Sequence, residues 1–364
     1  MNKKIKVYLQ YPWKYPDSPY YKYLIKNPPN NIEYLNTKNQ KGVLTNSRQL
    51  FFSHNIKRTI RSLIFLLKIP ILNVRHTKSK EKFDLIHCAH CLSKNTDKPW
   101  VVDFEGDWQF FLGHENDLVR KRAKKLLINK NCKKIIVWTC AAKKRILKKF
   151  PEIKEKIDVI YPAIPLPKEK RKEHRGINLL FVGRYFFRKG GLHALGAINR
   201  LTKKYGDVKG IIVSDTPENI KKRYLKNERI NFYDLMGQEK LFNEIYPICD
   251  VFVYPGYKDS FGFSMLEAMS FGIPIVTVDG FARNEIVGDD KTGFIVKENV
   301  TKQEMMKYNE KITEKIIDLT EKLIKNKKLR EKMSKNCVNI IKYGKFSIKE
   351  RNKKLEKVYE EALK

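Results

Sequence analysis

Residues 250–269 read Asp-Val-Phe-Val-Tyr-Pro-Gly-Tyr-Lys-Asp-Ser-Phe-Gly-Phe-Ser-Met-Leu-Glu-Ala-Met. The apolar run Val251–Tyr254 is stopped by Pro255 and Gly256, and a helical stretch opens at Gly262 after a polar loop. Strand, turn and helix in that order are the unit of a parallel sheet with crossover helices. Asp259 lies in the loop, and Glu267 follows eight positions later, about two turns into the helix. Both carboxylates can then line one ligand while the helix N-terminus, Gly262 to Met265, points amides at it. A carboxylate accepts two hydroxyls of one sugar ring, so the pair suits a ligand with both hydroxyls and phosphates. The plainer reading makes Asp259 a loop cap and Glu267 a helix-surface acid.

The same alternation extends in both directions. Upstream stand Asn178–Val182, Gly210–Val213 and Ile230–Phe232; downstream stand Ile273–Val278 and Phe294–Val296. Further toward the start are Ile5–Leu9, Ile32–Leu35, Phe83–Ile86, Trp100–Phe104, Ile135–Trp138 and Val159–Tyr161. Between the two series, Tyr161–Gly176 carries Pro162, Pro165, Pro167 and a polar stretch, which reads as a linker. From Thr301 the pattern is helical, and a last helix, Ile348–Leu363, follows Gly344 and Ser347 as a stop and a cap. The expected domains are 1–165, 166–345 and a closing helical segment 346–364. In open α/β sheets ligands sit beyond the carboxyl ends of the strands.

One such end is Gly183-Arg184, after Asn178–Val182, followed by Lys189, Gly190 and Gly191 opening a helix. Arg184 offers a guanidinium fork for two phosphate oxygens, and Lys189 adds a point charge beside a helix N-terminus. The spacing is neither the Walker loop nor the dinucleotide fingerprint. It describes a diphosphate cradle that needs no metal, or else simply a basic strand-to-helix turn.

The chain has 364 residues and a net charge of +35, with 42% hydrophobic and 32% charged residues. That is a folded soluble protein long enough for two cores, which excludes disorder and a disulfide scaffold. The field of such a charge draws nucleic acid, anionic lipid or phosphorylated small molecules alike. The lysines are spread through every segment, as in a solvated coat, and no nucleic-acid motif stands out. Six cysteines and no signal peptide point to reduced thiols and a cytoplasmic protein. His87, Cys88, His90 and Cys91 form half a zinc site at most, with no second pair at ligand spacing. The most apolar window, Leu63–Leu72, is broken by Lys68 and Pro70, so no membrane span is expected.

Taken in order, Phe181-Val182-Gly183-Arg184-x4-Lys189-Gly190, Asp250–Pro255, Asp259-x7-Glu267-Ala268-Met269-x2-Gly272-x-Pro274-Ile275-Val276 and Asp290–Val296 resemble the family 4 retaining glycosyltransferases, the group 1 glycosyltransferase domain. The likeness is strong from Asn178 to Val296. Phe83-Asp84-Leu85-Ile86-His87 looks like the family's Asp-x-Ile-His strand, and Phe346-Ser347 with Tyr359–Leu363 like its closing helix. The resemblance implies a GT-B fold: two Rossmann-like, doubly wound domains facing across a cleft, the last helix crossing back to the first domain. It implies an acceptor-binding first domain and a nucleotide-sugar-binding second one. It also implies a retaining, metal-independent glycosyltransferase of glycan biosynthesis, with no cofactor and a nucleotide-diphosphate sugar as donor. Arg184 and Lys189, with Gly183, match the positions that bind the donor diphosphate. Glu267 matches the acid on the ribose hydroxyls and Asp259 the first acid of the family's Glu-x7-Glu, a catalytic-site position that contacts the donor sugar, and the resemblance implies that the backbone at Gly262, Phe263 and Ser264 would hold sugar and phosphate.

Three departures from the family pattern stand out. Asp259 replaces a Glu, which shortens the reach of the carboxylate by one methylene. Tyr11–Tyr20 lacks the family's glycine-rich loop. Glu105-Gly106 stands where the family often has His-Gly, so Glu105 is the candidate to take over the polar, catalytic role facing the donor sugar; Asp107 is the nearby alternative. The expected acceptor is a glycan or lipid-linked molecule. Ile56–Val74 mixes basic residues with an apolar cluster and reads either as an interfacial segment for an anionic inner leaflet, giving peripheral membrane association, or as a core helix and strand. The competing functions are a nucleotide-sugar epimerase or phosphorylase on the same fold, and a non-catalytic basic module binding nucleic acid or membrane.

Overall fold

The computed structural model describes residues 4–11, 19–37, 59–60, 62–95, 97–298, 300–301 and 307–364. The chain divides into two compact units, 1–163 with 348–364, and 164–347.

In the first unit, β1 (Ile5–Gln10), β2 (Ile32–Leu35), β4 (Leu85–Ala89), β6 (Trp100–Phe104), β7 (Cys132–Val137) and β8 (Ile157–Val159) form one sheet in the order β2-β1-β4-β6-β7-β8. Every pairing is parallel. Every residue of β4 and β6 is buried, as expected of strands covered on both faces. Two short strands, β3 (Val74–Arg75) and β5 (Leu92–Ser93), pair beside it; at two residues each they carry no sequence signature. Asn116 and Thr139 cap the helices Asp117–Ile128 and Cys140–Lys149, accepting from Val119 N and Ala142 N at 3.0 Å.

The strand expected at Phe83–Ile86 begins two residues later. Asp84 fixes its start, since its carboxylate accepts Lys6 N at 2.8 Å and its own N–H donates to Lys6 O at 2.9 Å. His87 is therefore inside β4 and His90 just past its end. The helix Ile348–Leu363 completes this unit: Tyr359 Oη is 2.8 Å from His87 Nδ1 and 3.0 Å from Tyr34 Oη, and Arg351 donates to Asn27 O at 2.5 Å.

In the second unit β9 (Ile177–Gly183), β10 (Val208–Ser214), β11 (Ile230–Tyr233), β12 (Val251–Val253), β13 (Ile275–Val278) and β14 (Gly293–Val296) form a parallel sheet ordered β11-β10-β9-β12-β13-β14. Residues 161–176 contain no regular element, but their second half is anchored. Asp250, just before β12, receives Arg171 Nη2 at 2.7 Å and Asn178 N at 2.8 Å, with His174 Nε2 3.3 Å away. The helical tail is two helices, Glu310–Lys325 and Lys327–Lys342, divided at Asn326, whose side chain accepts Leu329 N at 2.9 Å.

Among the described residues no helix is long and apolar enough to cross a membrane. None of the six cysteines is joined in a disulfide.

Candidate functional site

In the second sheet the strand order reverses between β9 and β12, and the two stretches singled out in the sequence are the loops leaving those two strands. This is the switch point where doubly wound sheets bind ligands. The loops are tied to each other: Gly256 N donates to Lys189 O at 2.9 Å and Lys258 N to Arg188 O at 3.0 Å. Gly190 has φ of 78°, and a Cβ there would come within 2.4 Å of Pro255, so only glycine lets the loops approach this closely. The neighbouring strand braces the first loop, with Ser214 Oγ donating to Gly183 O at 2.5 Å and Phe186 N to Asp215 Oδ1 at 2.9 Å.

Lys189 Nζ meets Asp259 Oδ2 at 2.8 Å, and Tyr254 Oη donates to the same oxygen at 2.5 Å. Burial raises the Asp259 carboxyl, but the charge and hydrogen bond of Lys189, with Tyr254 and Arg283, outweigh it and hold the group below the usual carboxylate range. Arg283 is buried, and its guanidinium donates to the carbonyls of Gly256, Val278 and Asp279, knitting the ends of β12 and β13 together.

Gly262, in a left-handed conformation with φ of 90°, starts the helix Phe263–Ser270, whose N-terminus has no side-chain cap. Such an end favours an anion. Glu267 on that helix is 6% exposed; Oε1 accepts Gln238 Nε2 at 2.5 Å and Oε2 accepts Tyr246 Oη at 3.0 Å. Thus Gly183, Lys189, Asp259 and the Gly262–Ser264 helix start come together around the two loops, with Arg184 at the first residue after β9.

Tyr254, Arg283, Gln238 and Tyr246 were not foreseen. Tyr254 had a signal, as the last apolar residue before the Pro-Gly stop. Gln238 and Tyr246 reach Glu267 from a distant stretch through the wide turn Leu241–Ile245, and no local pattern marks them.

In the first unit Glu105 follows β6. Its side chain is 22% exposed, its N–H donates to Gln109 Oε1 at 2.8 Å, and its Oε1 is 3.8 Å from His90 Nε2. Asp107, the alternative, is drawn away to the helix Cys140–Lys149, 2.7 Å from Lys149 Nζ and 3.6 Å from Arg145 Nε. The half zinc site is divided: Cys88 and Cys91 lie in the hydrophobic cluster with Trp100 and Cys132, while His87 and His90 turn to Asp103. No group of three or more His, Cys, Asp or Glu side chains arranged to hold a metal occurs among the described residues.

Residues 165–338 match the family described as glycosyl transferases group 1. This segment belongs to the group 1 glycosyl transferases. It contains the whole of the switch-point cradle. An uncharacterized glycosyltransferase of Haemophilus influenzae is 28% identical over 190 residues, covering 50% of this chain and 52% of that protein. The chain spans 58%, 52% and 39% of the length of the curated relatives it matches. Among solved structures, a glycosyltransferase from Rickettsia africae aligns over all of both chains with a TM-score of 0.63 at 15% identity. Anabaena HepE, crystallised with UDP and glucose, aligns over 98% of this chain and 99% of its own with a TM-score of 0.61 at 13% identity. Two Rossmann-like sheets in one chain with this likeness make the fold GT-B.

Proposed function

We propose that the chain moves a sugar from a nucleotide-diphosphate donor to a glycan or lipid-linked acceptor, with retention at the anomeric carbon and without a metal. The observation that carries this is the Lys189–Asp259 pair at the switch point, beside Arg184 and an uncapped helix start, with Glu267 two turns along. Donor diphosphate competes for Lys189 and releases Asp259 to accept sugar hydroxyls, while Glu267 takes the ribose. Negative charge grows on the departing diphosphate as the glycosidic bond breaks, and fixed cations with a helix end stabilise it most in the transition state. The UDP in the HepE complex makes a UDP-sugar the first donor to try. Residues 166–345 are assigned the donor and 1–165 the acceptor, with Glu105 the polar group toward the sugar.

The test is thermal unfolding against UDP-, GDP-, ADP- and dTDP-sugars with EDTA present. A donor at a hundred times its dissociation constant adds about 2.7 kcal/mol. Loss of that shift in Arg184→Ala and Glu267→Ala supports the donor site; no shift with any sugar nucleotide overturns it. Turnover that needs no acceptor would favour an epimerase instead.

A lipid-linked acceptor at an anionic leaflet is favoured by the segment around residue 65. Leu63, Phe65, Leu66 and Leu67 are 51%, 46%, 76% and 65% exposed, with Lys68 beside them, whereas Leu72 and Val74 pack on the core. The expected core helix is thus an exposed one; its neighbours 56–58 and 61 lie outside the described residues. Pelleting with anionic liposomes at low salt, lost in Leu66→Glu/Leu67→Glu, tests a peripheral site at the cytoplasmic face of a membrane.

A further inference from the structure

His90 stands at the carboxyl end of β4, next to the first sheet's own switch point between β1 and β4, and takes no part in the chemistry above. Its φ of 59° is a left-handed conformation uncommon outside glycine. Hydrogen bonds impose it: the N–H donates to both the carbonyl and Oδ1 of Asp103 at 3.2 Å, and the carbonyl accepts Asn73 Nδ2 at 2.5 Å. Backbone held in this way against its preference gathers at functional sites.

The ring is held as firmly. It lies edge-on to Tyr21 and Trp138, with centroids 5.2 and 5.1 Å away. Nδ1 is 3.8 Å from Asp103 Oδ1 and Nε2 is 3.8 Å from Glu105 Oε1, and neither nitrogen has a hydrogen-bond partner. Asp103 is fully buried, accepts Tyr21 Oη at 2.6 Å, and has His87 Nε2 3.5 Å away. Burial raises its carboxyl, but the charges of His87 and His90 and the Tyr21 bond hold it below the usual range. The groups facing His90 are therefore a fixed anion beneath it, a partly exposed carboxylate beyond it, and Tyr21 and Trp138 on its flanks.

We propose that His90 is the positioning residue for Glu105: through Nε2 it keeps that carboxylate aimed at a sugar hydroxyl, while Asp103 fixes the ring from Nδ1. This rests on the glycosyl-transfer reading, in which Glu105 meets the sugar. A closure of roughly 1 Å turns the contact into a charge-assisted hydrogen bond. Such tightening is expected when ligand fills an open site. The strand end that carries a carboxylate in place of an imidazole thus regains the imidazole from the strand beside it.

His90→Gly suits the left-handed backbone and removes only the ring. The expected result is a fall of about a hundredfold in kcat, from loss of aim at the sugar, with KM for the donor unchanged. Added imidazole restores turnover, and adding Glu105→Gln to His90→Gly costs nothing further. Turnover within twofold of the parent, or a fall that imidazole does not rescue, overturns the proposal. Donor binding is read separately by the nucleotide-induced thermal shift, so its absence in the parent condemns the glycosyl-transfer reading alone. Independent of turnover, 15N-histidine spectra of Glu105→Gln should move the His90 Nε2 resonance and leave His193 in place; an unmoved His90 overturns the pairing.

Discussion

The two sheets share one plan but build their switch points differently. In the second unit the groups come from two short stretches, 183–190 and 254–267, zipped by backbone bonds and closed by the Lys189–Asp259 pair. In the first unit the cluster draws on residues 21, 87, 90, 103, 105, 138 and 359, from five separate parts of the chain. Local construction makes a recognisable motif. Distributed construction makes an equally organised site whose members carry no common spacing.

The sharpest test of this contrast is Lys189→Met. It leaves the part-buried Asp259 carboxylate without its cation and should cost about 2 kcal/mol in thermal unfolding, as losing a charge-assisted partner does. Turnover should fall by about a thousandfold, since a fixed charge on the leaving group is lost. A variant that melts with the parent would mean the loops hold without the pair.

Acid should affect both units through Asp259 and Asp103. The carboxyls of Asp259 and Asp103 are both held below their ordinary value, Asp259 chiefly by Lys189 and Asp103 chiefly by His87, each against burial. Each therefore contributes stability that is fully present above the unfolded value near about 4 and is lost as pH falls through the lower folded value. Urea midpoints followed from neutral pH into acid should fall less steeply in Asp259→Asn and in Asp103→Asn. An unchanged slope in either would show that its pair contributes nothing there.

Gln238→Ala should weaken nucleotide binding about tenfold, or 1.4 kcal/mol, because Glu267 loses a charge-assisted donor. Titration calorimetry reads it. Tyr359→Phe should cost about 1 kcal/mol in the first unit's unfolding and leave nucleotide affinity alone. The smallest effect belongs to Asp107→Asn, an ion pair near the surface, at about 0.5 kcal/mol or less with turnover unchanged. A large loss of turnover there would restore Asp107 over Glu105.

Eleven of the twelve main strands could be read from apolar runs bounded by turn residues, most plainly β4, β6 and β9, which are buried throughout, whereas the strand expected at Val159–Tyr161 lies at Ile157–Val159. What escaped was set by tertiary contact. The start of β4 moved because Asp84 pairs with Lys6, β3 and β5 are too short to show a period, and Asn326 divides the tail by serving two helices. The cradle was legible because Gly183, Arg184, Lys189, Asp259, Gly262 and Glu267 lie where strand meets helix. Gln238, Tyr246 and Arg283 were not, since each reaches its partner across the fold from a stretch with no pattern of its own. His90 was visible only as a zinc ligand, and its neighbours assign it otherwise.

The first unit is completed by a helix that the ribosome makes only after the whole of the second unit. Until residues 348–364 emerge, Tyr34, His87 and the sheet face beneath Tyr359 have no cover. At about 5–20 residues per second the intervening unit takes roughly ten to forty seconds to synthesise. During that interval a nearly finished sheet stands open, so chaperone demand in the cell should peak between the two parts of one unit, and supplying the 348–364 helix as a separate peptide should relieve it.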